Sequence, residues 1–154
     1  MSGAEPQAPP SGVFEGREHV LPVRVYYEDT DFTGVVYHAG YLRFFERGRT
    51  EFLRAAGVEH AALLRLADPC AFAVTRLGVA FRKAARVDDA LQVRTRYRRL
   101  RGVRIEAAQR LTRGVDLIAE AEVEVVCIRP DGRPRRPPPI LAERLTPFVG
   151  DDTP

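Results

Sequence analysis

Residues 39–57, AGYLRFFERGRTEFLRAAG, decide the fold. Wound as a helix, they put Tyr41, Phe44, Phe45, Gly48, Phe52, Ala55 and Ala56 on one stripe. Arg43, Glu46, Arg47, Thr50, Glu51 and Arg54 lie mostly on the other side. Gly57 stands where a helix ends readily, in the position after the cap. Gly48 lies on the apolar stripe, where glycine costs about 1 kcal/mol against alanine. Its presence there predicts close approach to another backbone. A weaker helical stretch, VEHAALLRLA, covers residues 58–67.

The partner for that stripe lies downstream, where the period changes from 3.6 to two. Residues 72–83 read as a strand interrupted at Gly78. Leu91, Val93, Thr95 and Tyr97 alternate with Gln92, Arg94, Arg96 and Arg98. Val103 to Leu111 and Ala121 to Cys127 alternate in the same way, and Arg101-Gly102 and Arg113-Gly114 suit hairpin turns. Each strand has one apolar and one charged face, the pattern of an antiparallel sheet covered on one side. The arginine and glutamate faces are expected to pair across strands. Upstream, VLPVRVYYE at 20–28 reads as one more strand. A long helix wrapped by an antiparallel sheet is an α+β domain.

The remaining sequence bounds the function. The chain of 154 residues suits one domain. Residues 1–18, rich in Pro, Gly and Ala, read as a flexible tail, 19–146 as the domain, and 147–154 as a second tail. RPDGRPRRPPP at 129–139 turns at Asp131-Gly132 and then runs extended, too rich in breakers for a central strand. The net charge is +3, and only Lys83 among the 24 basic residues is a lysine. That excess suits attraction of phosphates, but no nucleic-acid motif accompanies it. Cys70 and Cys127 stand apart with no second Cys or His beside them, so they imply neither a zinc site nor a disulfide framework. No apolar run of membrane-spanning length and no secretory leader is present, so the chain reads as cytoplasmic.

The segment with chemistry is Tyr26 to Tyr41, YYEDTDFTGVVYHAGY. It places carboxylates in a glycine-containing loop just ahead of a helix N-terminus. Such a terminus presents unpaired amides and partial positive charge, able to stabilise an oxyanion. A carboxylate beside it can activate water or attack a carbonyl itself. Together they suit hydrolysis of an activated acyl group such as a thioester.

VRVYYEDTDFTGVVYHAGYLRFFERGRTEFLRAAG resembles the opening signature of the YbgC-like, Tol–Pal-associated acyl-CoA thioesterases of the 4-hydroxybenzoyl-CoA thioesterase group. FRKAARVDDALQVRT, LRGVRIEAAQRL and AEAEVEVVCI resemble later strands of that family, so the likeness runs over about residues 22–145. It implies a hotdog fold assembled as a homodimer or homotetramer, acyl-CoA as substrate and no cofactor or metal. It implies Asp31 as the catalytic carboxylate, as base or nucleophile, and amides near Tyr37 and His38 as oxyanion donors. His38 is the motif's histidine, placed to orient water or protonate the leaving thiolate. Tyr26, Gly34, Val36, Tyr37 and Tyr41 are the pocket-shaping positions.

Arg98, Arg99, Arg101 and Arg104 fall near where related enzymes bind the nucleotide phosphates of coenzyme A; the alternative is a solvated strand face. Asp29 is expected to hold the loop, Glu46 to pair with Arg43 or Arg49, and His60 to lie exposed. Gly40, Phe32-Thr33 and Ala84 depart from the usual motif and bear on acyl-pocket shape. Alternative readings are an aromatic acyl-CoA thioesterase and a non-catalytic hotdog scaffold. Candidate protein partners are acyl carrier protein and phospholipid-synthesis enzymes.

Overall fold

In a computed structural model that describes residues 3–150, the aromatic stripe packs into a six-stranded antiparallel sheet. The elements in chain order are β1 (Val13–Glu15), β2 (Glu18–Arg24), α1 (His38–Ala55), α2 (His60–Leu64), β3 (Ala71–Phe81), β4 (Ala90–Arg101), β5 (Arg104–Arg113), β6 (Asp116–Ile128) and α3 (Pro139–Leu145). The strand order is β1-β2-β4-β5-β6-β3, which leaves β1 and β3 as edges. This is the α+β hotdog arrangement, a long helix cradled by a sheet.

The core divides along α1. Tyr41, Phe44 and Phe45 pack with Val25, Leu91, Val93 and Leu111 around the first half of the helix. Phe52 and Leu53 pack with Tyr97, Ile105, Val125, Leu141 and Leu145 around the second. Each fully buried aromatic or leucine in these clusters contributes about 1.5–3 kcal/mol of transfer free energy. The stripe closes on Leu53 rather than on Ala55 and Ala56, because the flank of α1 that carries Leu53 is also covered, by α3 and Leu63.

Between the two halves, Gly48 does mark a close approach, but to side chains rather than backbone. A Cβ there would stand 2.5 Å from Val93 Cγ1 and 2.9 Å from Thr95 Oγ1. The approach lets Gln109, buried in the sheet, donate through Nε2 to Phe45 O at 2.8 Å and to Thr95 Oγ1 at 2.9 Å. Arg49 Nη1 donates to Gln109 Oε1 at 2.9 Å, so this buried amide is satisfied at both ends.

Several expectations need correction. The strand expected over 20–28 ends at Arg24, because Tyr27–Asp29 coil into a 3-10 turn. Residues 13–18, read as tail, form most of a β1–β2 hairpin whose Phe14 ring stacks on Phe148 at 4.2 Å. Phe148 and Val149 of the other expected tail pack on the core, while residues 151–154 lie outside the described residues. β3 runs unbroken through Gly78, and its irregularity falls instead between Val74 and Arg76. The tight turns are Gly102-Val103 and Gly114-Val115, one residue later than expected.

The outer face pairs as its charges require. Arg94 meets Glu18 at 2.8 Å, Arg110 meets Glu18 at 3.1 Å, and Arg82 meets Glu120 at 2.7 Å. The more exposed of these pairs contribute little to stability. Among the described residues, no helix is long and apolar enough to cross a membrane.

Candidate active site

The loop from Tyr26 to Tyr37 is folded by its own hydrogen bonds. Asp29 Oδ2 accepts from the Tyr26 amide at 2.8 Å, and Asp29 O accepts from the Tyr37 amide at 3.2 Å. Asp29 is therefore a loop-holding residue, as expected. The Asp31 amide donates to Val35 O at 2.9 Å and the Gly34 amide to Asp31 O at 3.1 Å, closing a tight turn. Gly34 enters it at φ +79°, a conformation that side chains resist.

The turn is then laced to the segment between β3 and β4. The Val36 amide donates to Ala85 O at 2.9 Å, and the Val87 amide to Gly34 O at 3.1 Å. Tyr41, buried in α1, accepts the Ala85 amide on its hydroxyl at 3.1 Å. Asp89 anchors that segment in turn, taking the Arg86 amide at 2.9 Å and Arg113 Nη1 at 2.7 Å.

These bonds hold Asp31 at the N-terminal end of α1 with its side chain exposed. Its Oδ1 accepts twice from Thr33, from the amide at 2.8 Å and from Oγ1 at 2.5 Å. Oδ2 has no partner among the described residues. The Thr33 hydroxyl, followed by the Thr33 amide, holds the Asp31 carboxyl below its ordinary range. The group is an anion at neutral pH with one oxygen open to solvent.

α1 begins without a side-chain cap on Tyr37. Among the described residues no acceptor takes the amides of His38 and Ala39, so two donors point out of the helix beside the Asp31 turn. The His38 ring is exposed and lies 4.2 Å from that of Tyr37. Tyr26 is exposed, and Val36 is buried beneath the turn. Val36, His38, Tyr41 and Phe81 line a hollow of about 320 Å³ at this end of α1.

The structure puts Val36, His38 and Tyr41 on one hollow, with Tyr37 at the start of α1 and Asp31 and Gly34 in the turn that precedes it. It does not bring the four arginines there within one chain. β4 starts near the site and Arg101 ends it, eleven residues on and roughly 35 Å away at strand spacing. Arg98 pairs with Glu122 at 3.3 Å and Arg99 with Glu106 at 3.8 Å, while Arg101 and Arg104 flank the β4–β5 turn, exposed. Glu46 accepts from Thr50 Oγ1 at 2.9 Å rather than pairing with Arg43 or Arg49. His60 is half-buried, not exposed.

Sequence reasoning missed two contributors. Thr33 was read only as a departure, though a hydroxyl two residues after an aspartate is a natural partner for its carboxylate. The Ala85–Asp89 brace carries no local signal beyond its Asp88-Asp89 turn. Among the described residues, no cluster of His, Cys, Asp and Glu is arranged to hold a metal ion.

Comparison with known proteins gives the family and the fold. Residues 25–145 match the thioesterase-like superfamily. The acyl-CoA thioesterase YbgC of Haemophilus influenzae is 47% identical over 108 residues, 70% of this chain and 79% of that protein. The acyl-CoA thioester hydrolase YbgC of Escherichia coli is 46% identical over 125 residues, 79% of this chain and 92% of that one. The crystal structure of a probable thioesterase from Bartonella henselae superposes with a TM-score of 0.76 at 41% identity, covering 79% of this chain and 99% of that chain.

Proposed function

The chain belongs to the thioesterase-like superfamily, and on that premise we propose that it hydrolyses acyl-CoA thioesters with Asp31 as general base and the His38 and Ala39 amides as the oxyanion site. The observation that carries the reading is the juxtaposition of a carboxylate with one free oxygen and two unpaired amides at the start of α1. Asp31 Oδ2 takes a proton from a water as its oxygen attacks the thioester carbon. The negative charge that develops on the carbonyl oxygen is met by the two amides and the helix dipole. Collapse of the tetrahedral adduct breaks the C–S bond, and the thiolate leaves as coenzyme A.

Asp31 is a weak base, since Thr33 lowers its pKa. The oxyanion donors share the work, since removing such a donor typically costs 10²–10³-fold in comparable sites. His38, exposed at the helix start, is placed to hydrogen-bond the leaving sulfur or the attacking water.

The reading includes a second copy. β3 is an open edge, and Val74, Leu77 and Phe81 are exposed along it. A two-fold pairing of β3 with itself reverses the strand direction. It would carry the β4–β5 turn of one copy, with Arg101 and Arg104, toward the Asp31 end of the other. That is where the phosphates of a bound coenzyme A need charge, and arginine forks suit them.

The experiment is thiol release across short, long and aromatic acyl-CoAs, with the mass of the active species measured by light scattering. Turnover by a dimer or larger oligomer is expected. An inert protein would favour a scaffold, and an active monomer would remove the arginines from the site.

A further inference from the structure

Two thiols far apart in the chain meet at one end of the sheet. Cys127 faces Phe72 in the β3–β6 ladder, and Cys70 stands two residues before Phe72. Side chains two apart along a strand share a face, so Cys70 and Cys127 are diagonal neighbours. That face is the inner one, because Cys70 is 1% exposed and Cys127 0%, both in the core cluster around Phe52.

The two thiols hydrogen-bond to each other. Cys70 Sγ in turn donates to Ala71 O at 3.6 Å, so Cys127 is the donor and Cys70 the acceptor of the pair. Cys127 is held firmly: its amide donates to Val103 O at 2.9 Å, and its carbonyl accepts the Arg135 amide at 2.9 Å. Cys70 lies one residue outside β3, with its amide bonded to Leu63 O at 3.0 Å. With one partner fixed and the other at a strand end, a small shift of Cys70 brings the sulfurs to bonding distance.

Their surroundings make the sulfurs unequal. The Cys127 thiol, with the Arg135 guanidinium, holds Cys70 below the ordinary thiol range. Arg135 is nearly buried beside it, donating to Asp68 O and to Pro69 O at 3.5 Å, the two carbonyls just ahead of Cys70. Donation to Cys70, together with burial, pushes the Cys127 thiol up. Cys70 is therefore the sulfur that ionises. It also lines a hollow of about 290 Å³ beneath α2, with His60 in the same lining. His60 Nε2 is buried there without a partner among the described residues and offers a small guest a hydrogen bond.

We propose that Cys70 and Cys127 form a dithiol that a small hydroperoxide, admitted through this hollow, oxidises to an intrachain disulfide. The site is separate from the Asp31 chemistry. The Cys70 thiolate attacks a peroxide oxygen: the S–O bond forms, the O–O bond breaks, and the departing hydroxide takes the Cys127 proton to become water. The Cys127 thiolate then attacks the Cys70 sulfur. The S–S bond forms, the S–O bond breaks, and the second hydroxide takes up the proton that Cys70 had released. Two thiols and one hydrogen peroxide give one disulfide and two waters. The new bond ties the segment after α2 to the end of β6.

The test exposes the native full-length protein to hydrogen peroxide, quenches with catalase, and labels the remaining thiols with N-ethylmaleimide in denaturant. Intact mass and non-reducing peptide mapping are the readouts, with circular dichroism on the same sample. The parent is expected to stay folded, lose both labels, and yield a peptide crosslinked between Cys70 and Cys127 that dithiothreitol releases. Cys127→Ser should stop at a Cys70 sulfenic acid that dimedone traps. In Cys70→Ser the remaining thiol should oxidise at least ~10-fold more slowly than Cys70 does in Cys127→Ser.

A folded parent that keeps both labels overturns the proposal, as does one that stops at an oxidised Cys70 without the crosslink. A disulfide that forms only between two chains, or only once the fold is lost, also overturns it. Equal oxidation rates in the two serine variants overturn the assignment of Cys70 as the attacking sulfur.

Discussion

The two ends of α1 are built by different means. At the C-terminal end Phe52 is fully buried in an aromatic cluster, edge-on to Tyr97 at 4.6 Å, to Phe14 at 5.0 Å and to Phe148 at 5.5 Å. At the N-terminal end Asp31, Phe32, Tyr37 and His38 are all exposed, and the chain is held by backbone hydrogen bonds to the Ala85–Asp89 segment. Packing is non-directional and fills space, so it supplies stability but leaves nothing for a substrate. Hydrogen bonds fix position while leaving a carboxylate oxygen and two amides open. The helix joins the two, so one end anchors what the other presents.

If that division is right, substitutions at the two ends should separate. Phe52→Ala should lower unfolding free energy by about 3–5 kcal/mol, read by denaturant titration, with kcat of the folded protein little changed. Equal loss of turnover would mean the ends are coupled rather than divided. Asp29→Ala removes the acceptor for the Tyr26 amide and should cost about 1 kcal/mol by the same titration. Its effect on turnover should stay below that of any change to Asp31.

His38→Ala should lower kcat by less than about tenfold, because the backbone donors survive the change. A greater loss would make the imidazole, not the amides, the main partner of the reaction. The smallest effect belongs to Thr33→Val, which deletes the hydroxyl on Asp31 Oδ1 and keeps the amide. Asp31 works as its anion, and its folded pKa lies below the ordinary 3.8. The acid limb of kcat/KM should therefore lie below that value in the parent and move up toward it in the variant. A carbon NMR titration of the Asp31 carboxyl gives the same shift without turnover.

The packed end was the more legible in sequence. A stripe of aromatics at helical spacing and strands alternating at period two state their own burial, and α1, β4, β5 and β6 lie close to where the periods put them. The β1–β2 hairpin was not legible, because Phe14 is a single apolar ring amid glycine, proline and charge. Its partners Phe52 and Phe148 are far away in sequence. The irregularity in β3 falls beside Thr75, whose hydroxyl donates to Glu124 Oε1 at 2.8 Å, a cross-strand bond that no local pattern announces.

At the N-terminal end of α1 the order is reversed: the candidate residues were legible and their support was not. Asp31 and His38 stood out through the motif around them. The brace from Ala85, Val87 and Tyr41 joins positions about fifty apart, and hydrogen bonds between backbones leave no trace in residue identity.

The central claim is that Asp31 performs the chemistry and little else. Asp31→Asn keeps the side-chain size and an oxygen to accept from Thr33, while removing the charge and the basic lone pair. The measurement is kcat for the best acyl-CoA substrate, taken beside the melting temperature and light-scattering mass of the same sample. The account predicts a fall of at least ~10²-fold in kcat with fold and assembly intact. Parent-like turnover in a correctly folded Asp31→Asn protein would contradict it and move the reaction centre elsewhere.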